Sequence, residues 1–168
     1  MAEWILSRLS KDHDRAGFSC GQPSLDLYLY NLATQYEKRH IGRTYVATEA
    51  DSLRVAGYCT LSTGGLEPTQ LTAAARRKLP KHQVPIIHIG RLAVDSAFQG
   101  RRLGEALLFH ALHIALAASQ TVGVYGVTVS AIDDKAITFY GRYGFTPLLD
   151  HPNHLLLPMR SVESMFAR

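Results

Sequence analysis

The sequence predicts an α/β domain built on a mixed sheet of six or seven strands, and three observations carry that prediction. Residues 86–94 are almost wholly apolar, as a strand covered on both faces must be. A long apolar stretch of helical composition follows at residues 103–118, and a second buried-strand run follows at residues 125–129. Strand, helix and strand in that order make a β-α-β unit, which requires parallel strands and a right-handed crossover. With 168 residues the chain has room for one full core, so residues 1–168 are expected to form a single domain.

In chain order, Trp4 and Leu6 alternate with more polar neighbours and predict a first strand, after which residues 11–21 are charged and glycine-bounded like a loop. Ser24 is the expected N-cap of a helix in which Leu25, Leu29, Leu32 and Tyr36 recur at helical spacing. Asp26 sits in its first turn, where the helix dipole favours a carboxylate, and the helix should end near Arg39. Residues 44–48 and 55–61 are β-branched and aromatic runs separated by Glu49, Asp51 and Ser52, the pattern of a hairpin. In the long connection that follows, residues 71–79, closed by Pro80, predict a short basic helix or turn. Gly90 interrupts the 86–94 strand. If Ile87 and Ile89 share a face with Leu92 and Val94, the alternation slips by one residue, and a bulge at Gly90 would supply the slip. Asp133 and Asp134 open a helix that runs through Ile137 and Tyr140 and stops at Gly141 or Gly144. Residues 145–149 and 154–159 are the expected closing strands.

The hydrophobic fraction of 46% and charged fraction of 19% belong to a globular chain and exclude a disordered one. A formal net charge of +4 favours an anionic partner without choosing among nucleotide, nucleic acid and acidic protein. No run approaches the ~20 apolar residues of a membrane span. Residues 1–9 carry Glu3 and lack the apolar centre of a signal peptide, so a cytoplasmic protein with no membrane role is expected. Cys20 and Cys59 stand far apart with no ligand-like spacing and are expected to be reduced, structural thiols. His110 and His113 share a helix face but have no third ligand, so no metal is expected.

The chemistry gathers where the 86–94 strand passes into the long helix. Backbone N–H groups at a helix start, the positive end of the dipole and two arginines, Arg101 and Arg102, make a phosphate site. The Gly-Lys-Ser/Thr ending of an ATP loop and the Gly-x-Gly-x-x-Gly of a dinucleotide fold are both absent, which disfavours ATP and NAD. Spacing alone leaves open whether the glycines serve a ligand or only the turn. Arg91-Leu92-Ala93-Val94-Asp95, Gln99-Gly100-x-x-Leu103-Gly104 and Phe139-Tyr140-x-x-Tyr143-Gly144-Phe145 together resemble the GNAT family of acyl-CoA N-acyltransferases. More narrowly, Phe18-x-Cys20-Gly21-x-x-x-Leu25-Asp26-x-Tyr28-Leu29, Gly57-Tyr58 and the run from Gly90 to Asp95 resemble the tRNA-acetylating toxins of bacterial toxin-antitoxin pairs. The likeness extends over about residues 9–158.

The resemblance implies a GNAT fold, with a central mixed sheet, helices on both faces and a splayed parallel strand pair holding acetyl-CoA. It implies that Leu92, Ala93 and Val94 pair through their backbone with the pantetheine arm, and that Gln99, Gly100, Arg101, Arg102, Leu103 and Gly104 hold the pyrophosphate. Arg102 stands where the family usually has glycine. It either weakens or reshapes the loop, or adds a charge-assisted contact to the CoA phosphates. Tyr140, by spacing alone, is a core aromatic beside Ile137; the resemblance implies that it protonates departing CoA. The chemistry is compatible, since a thiolate of pKa ~8.5 leaves more easily beside a phenol of pKa ~10 that lends its proton.

An α-amine, with a pKa of ~7.7 to 8.0, is partly neutral at cellular pH, whereas a lysine at ~10.4 is not. No glutamate in the central strands reads as a strong base, and Glu67 lies in an irregular loop, which favours an α-amine acceptor. Backbone N–H groups near Gly90 could receive the oxyanion. Lys38, Arg39, Arg43, Arg76, Arg77, Lys78 and Lys81 are either solvated charges or an RNA phosphate track, and Arg91 could reach the cleft from its strand. The resemblance implies acetyl-CoA as co-substrate, aminoacyl-tRNA as acceptor and a ribbon-helix-helix antitoxin through which alone operator DNA is bound. It also implies a homodimer. The alternatives are acetylation of a small amine or protein N-terminus, and a non-catalytic CoA-binding regulator.

Overall fold

The β-branched runs near the N-terminus pair as an antiparallel meander in the computed structural model, which describes residues 3–167. β1 (Trp4–Arg8) lies beside β2 (Arg43–Glu49), with Trp4 opposite Glu49, and β2 lies beside β3 (Gly57–Leu66), with Arg43 opposite Leu61. The remaining strands are β4 (Val84–Val94), β5 (Gly126–Ser130), β6 (Thr146–Pro147) and β7 (His154–Pro158). Seven strands form one mixed sheet in the order β1-β2-β3-β4-β5-β7-β6. β4 and β5 are the parallel pair, connected through the helix Leu103–Ser119, as the β-α-β pattern requires.

Two compact units can be distinguished by their contacts: residues up to 62 with 90–111, and residues 63–89 with those from 112 onward. In the first, a core of Phe18, Tyr28, Leu29, Ala33, Val46, Val55, Tyr58 and Ala93 is fed largely by the helical segment before β2. That segment is not one helix. α1 (Pro23–Leu27) gives way to a π-helical turn (Tyr28–Leu32) and then to α2 (Ala33–Lys38). Ala33 N–H bonds five residues back to Tyr28, which leaves the Leu29 carbonyl for the Arg15 guanidinium at 2.9 Å. The Tyr58 hydroxyl donates to the Leu25 carbonyl at 2.6 Å. Ser24 is not the N-cap: Gln22 holds that place and Pro23 opens the helix, because its fixed φ suits the first turn and its missing N–H is not needed there. Asp26 accepts from the Cys20 N–H at 3.0 Å, tying the preceding loop to the helix.

The second unit has its own core of Leu66, Leu71, Val84, Ile86, Leu148 and Leu156. β3 continues to Leu66, past its expected end at Leu61, because Gly64 and Gly65 leave space for Ile86 and Gln83; a Cβ on Gly65 would stand 2.3 Å from Gln83 Oε1. α3 is only Ala73–Arg76, capped by the Thr72 hydroxyl. The β4–β5 ladder runs from Ile86 opposite Gly126 to Ile89 opposite Val129. Beyond it burial falls on Ala93, while Leu92 and Val94 are half-buried, so those two do not share the inward position of Ile87 and Ile89.

α4 is Leu103–Ser119, and α5 (Asp134–Gly141) is capped by Asp133, which accepts from the Ala136 N–H at 2.9 Å. The closing strand expected at residues 145–149 shrinks to β6, since Pro147 has no N–H and Leu149 donates instead to the Gln70 carbonyl at 2.8 Å. After Pro158 the chain turns into α6 (Met159–Phe166), a helix absent from the sequence reading, with Met159 and Val162 buried one turn apart.

Candidate functional site

In the first unit, β4 leads into a loop whose shape is fixed by Asp95. This carboxylate is 3% exposed and accepts from the Ala97 N–H at 2.8 Å and the Ser19 N–H at 3.0 Å, with the Arg54 guanidinium 3.6 Å away. It caps a short 3₁₀ turn (Ser96–Phe98). Gln99 turns its amide back to the Val94 carbonyl at 3.1 Å, which closes the loop on the strand it leaves. Gly100 then takes φ 80° and Arg102 φ 61°, and α4 starts at Leu103 with its first-turn N–H groups unpaired by the helix itself. Arg102 therefore holds the left-handed backbone that a glycine would adopt freely, and its side chain is exposed. The loop keeps a glycine-like path without the glycine.

Arg101, expected at the phosphates, bonds Glu49 at 3.1 Å and lies over the Trp4 ring at 4.8 Å. Arg91 is half-buried and places its guanidinium 3.7 Å from the Tyr28 ring centroid, a cation–π contact that orients it. Tyr28 stacks on Tyr58 at 6.2 Å. Burial pushes the hydroxyls of both tyrosines above their ordinary values, against the opposing pull of Arg91.

The basic residues fall into two groups. Lys38 and Arg39 are exposed at the end of α2 in the first unit, and Arg76, Arg77 and Lys78 are exposed on and after α3 in the second. Among the described residues none of the five forms an ion pair. Lys38 also borders a groove of about 380 Å³ together with Arg8, Lys11, Arg15, His40 and Arg43. Its only acid is Glu37, held between Arg8 at 2.6 Å and Arg43 at 3.1 Å.

In the second unit, Tyr140 is 4% exposed near the end of α5, edge-on to Phe139 at 5.2 Å and Phe145 at 5.5 Å. The turn after it uses Gly144 at φ 96°, where an added Cβ would lie 3.3 Å from Leu157. Leu157 is opposite Val127 on β5, so α5 ends over the Val127–Leu157 face of the ladder. His88, Thr128, Ser130 and His154 project from the other face. His88 Nδ1 is 2.7 Å from the Thr128 hydroxyl, Nε2 is 3.3 Å from the Ser130 hydroxyl, and its ring lies edge-on to His154 at 6.1 Å. In the sequence His88 stands out only as a polar break in an apolar strand. A histidine in such a run requires polar partners, and that was the available signal.

Cys59 is buried and Cys20 half-buried, and neither is in a disulfide. Burial pushes the Cys59 thiol up to about 12; burial, then Asp26, pushes Cys20 up to about 11, so neither is a thiolate at neutral pH. His110 packs on Tyr45 and His113 on Phe166.

A family model described as an acetyltransferase (GNAT) domain matches residues 40–147. A tRNA-acetylating toxin of Mycobacterium tuberculosis is 34% identical over 94% of this chain and 93% of its own length. A tyrosine-to-phenylalanine variant of KacT superposes with TM-score 0.92 at 32% identity, over 97% of this chain and 99% of that one. AtaT complexed with acetyl-methionyl-tRNAfMet gives 0.91 at 32% identity, over 98% and 100%. AtaT has also been solved with the C-terminus of its antitoxin AtaR and acetyl-CoA, and the AtaT–AtaR complex has been solved bound to DNA. Since the family model covers well over half of its residues and its relatives span nearly all of it, this chain belongs to the GNAT acetyltransferases.

Proposed function

We propose that this protein transfers the acetyl group of acetyl-CoA to the α-amine of an aminoacyl-tRNA, removing the amine that peptide transfer needs and so stopping translation. The observation that carries the reading is the likeness, over almost the full chain, to AtaT, whose solved complex contains acetyl-methionyl-tRNAfMet. Residues 1–168 are read as one catalytic domain, because the family match at residues 40–147 draws on both compact units.

In this reading the backbone of Leu92, Ala93 and Val94 carries the pantetheine arm. The loop from Gln99 through Gly100, Arg101 and Arg102 to Leu103 and Gly104 offers its N–H groups to the pyrophosphate; the left-handed Arg102 supports this, since it preserves the backbone path that close approach requires. The α-amine attacks the thioester carbon and a C–N bond forms. The C–S bond then breaks with its electron pair going to sulfur, Tyr140 gives the thiolate its proton, and the proton that the acylated nitrogen sheds passes to solvent, from which the tyrosinate recovers one. Arg91, Lys38, Arg39, Arg76, Arg77 and Lys78 are assigned to tRNA; exposure without ion pairs supports this for the last five. By the same likeness the protein acts in the cytoplasm as a homodimer, pairs with a ribbon-helix-helix antitoxin, and meets operator DNA through that antitoxin. Among the described residues no helix is long and apolar enough to cross a membrane.

The test is incubation with labelled acetyl-CoA and total aminoacylated tRNA, beside deacylated tRNA and a Tyr140→Phe variant. Label should appear only on charged tRNA, and Tyr140→Phe should lower turnover by roughly 10²–10⁴-fold while acetyl-CoA binding stays unchanged. Binding of acetyl-CoA with no transfer would favour the non-catalytic alternative.

A further inference from the structure

The groove beside Lys38 carries as much excess charge as the entire chain. It lies in the first unit, where the end of β1, the loop after it and the turn between α2 and β2 meet, and Arg8, Lys11, Arg15, Lys38 and Arg43 line it. Five cations against the single carboxylate of Glu37 leave an excess of four, equal to the formal net charge of +4 of the whole sequence. Of these residues only Lys38 has been given a role.

The cations are positioned there without being neutralised. Glu37 Oε1 accepts from Arg8 at 2.6 Å and from Arg43 at 3.1 Å, while Oε2 accepts from the Thr44 N–H at 2.9 Å. One carboxylate thus sets two guanidinium groups side by side, a placement that like charges would otherwise resist. Arg43 also donates to the Glu37 carbonyl at 3.0 Å and stands 3.1 Å from His40 Nδ1. Because a guanidinium only donates, Nδ1 accepts and the neutral ring carries its proton on Nε2, a further donor. His40 takes φ 60° just past the end of α2, the place usually held by glycine, and the bonds from His40 N–H to Glu37 and from Ile41 N–H to Tyr36 close the turn at 3.2 and 3.1 Å. Lys11 and Lys38 are exposed and form no ion pair among the described residues.

We propose that this groove is a phosphate-binding site, separate from the loop before α4. A carboxylate would leave most of the excess charge unmatched, whereas a phosphate brings up to two negative charges and acceptor oxygens that arginine forks fit. The volume of about 380 Å³ lies within the ~300–1,000 Å³ of small-ligand sites. The groove shares no lining residue with the loop, and the β1–β2 ladder separates them. Arg101 meets Trp4 and Glu49 at one end of that ladder, and Arg8, opposite Tyr45, stands at the other, about 13 Å along the strand at ~3.3 Å per residue. Such phosphates come from the backbone of a bound RNA or from a free phosphorylated small molecule. The site stands on the groove's own geometry and does not depend on the acetyl-transfer reading.

The experiment has two arms. Calorimetric titration with inorganic pyrophosphate, in the presence of excess CoA so that the loop before α4 is occupied, reads binding of a small phosphorylated molecule; binding of uncharged tRNA over a salt series reads the RNA backbone. Wild type is compared with Lys11→Glu, with the Arg8→Ala/Lys11→Ala double variant and, as a control for net charge, with Lys135→Glu, an exposed position on α5 outside the groove. Tm checks that each variant is folded, and Lys11→Glu, at an exposed side chain, decides the matter if the double variant is not. Weakening of pyrophosphate by roughly 10-fold or more in the groove variants, with Lys135→Glu near wild type, assigns the site to a free phosphorylated ligand. A fall of roughly 2 in the slope of log tRNA affinity against log salt for the double variant, with Lys135→Glu again near wild type and pyrophosphate unaffected, assigns it to RNA phosphates. Wild-type behaviour of the groove variants in both arms overturns the proposal. So does an equal effect of Lys11→Glu and Lys135→Glu, which marks a diffuse positive field with no site in it.

Discussion

Replacing Arg102 with glycine tests whether the shape of the loop before α4, proposed to hold acyl-CoA, resides in its backbone. At φ 61° an arginine occupies the left-handed region at a cost of roughly 1–2 kcal/mol, which glycine avoids. Glycine in turn loses more freedom on folding, costing roughly 0.5–1 kcal/mol. The balance is a stabilisation of roughly 0–1.5 kcal/mol, about 0.75 kcal/mol at the centre of the two ranges, which for a chain of this length raises Tm by roughly 2–3 °C. Arg102→Ala keeps the left-handed cost, and because the arginine side chain is exposed its Tm should not move measurably. Calorimetric unfolding of the three proteins reads these differences, and titration with acetyl-CoA reads the guanidinium separately. Both variants remove the charge and should weaken acetyl-CoA equally, while glycine alone changes Tm. A fall in stability of about 1 kcal/mol or more for Arg102→Gly would refute the argument, because it would mean that the side chain holds the loop.

Gly126→Ala on β5 should destabilise by roughly 1–3 kcal/mol in chemical denaturation, since its Cβ would stand 2.7 Å from the Leu157 carbonyl oxygen; a change within about 0.5 kcal/mol would mean that β7 yields. Substituting Arg76, Arg77 and Lys78 together by alanine should weaken tRNA binding and reduce the slope of log affinity against log salt by roughly 2–3, leaving acetyl-CoA affinity alone; an unchanged slope removes these residues from the RNA track. The Cys59 thiol titrates at about 12 in the folded chain against an ordinary value of 9.0, so the folded state keeps a proton that the unfolded state releases. Stability present below pH 9 is lost as pH rises from there toward 12. Cys59→Ala should flatten that decline in the denaturation midpoint, and an identical slope would contradict the assignment.

Much of the fold was legible because hydrophobic period and turn chemistry agree. The β-α-β unit around α4, the hairpin of β2 and β3 and the capped start of α5 at Asp133 all follow local rules. The departures have tertiary causes. Helical spacing from Leu25 to Tyr36 could not reveal a π turn whose freed Leu29 carbonyl is claimed by Arg15, fourteen residues away. Nor could residues 145–149 announce that Leu149 would bond Gln70 rather than β7. α6 was readable, since Met159, Val162 and Phe166 recur at helical spacing after Pro158, but the preceding strand was extended over its first residue. At the site, motif residues drew attention to the loop before α4 and to Tyr140, while the left-handed Arg102 needed backbone angles. The His88 cluster needed strand register, because its members come from three strands and the loop before β7.

The most direct test of acetyl transfer to an aminoacyl α-amine is mass spectrometry of the terminal aminoacyl-adenosine, released by nuclease from charged tRNA after incubation with the protein and acetyl-CoA. The account predicts an N-acetylated aminoacyl-adenosine, formed by the wild-type chain and nearly absent with Tyr140→Phe. Unmodified aminoacyl-adenosine in every reaction, with acetyl-CoA bound but not consumed, would contradict it.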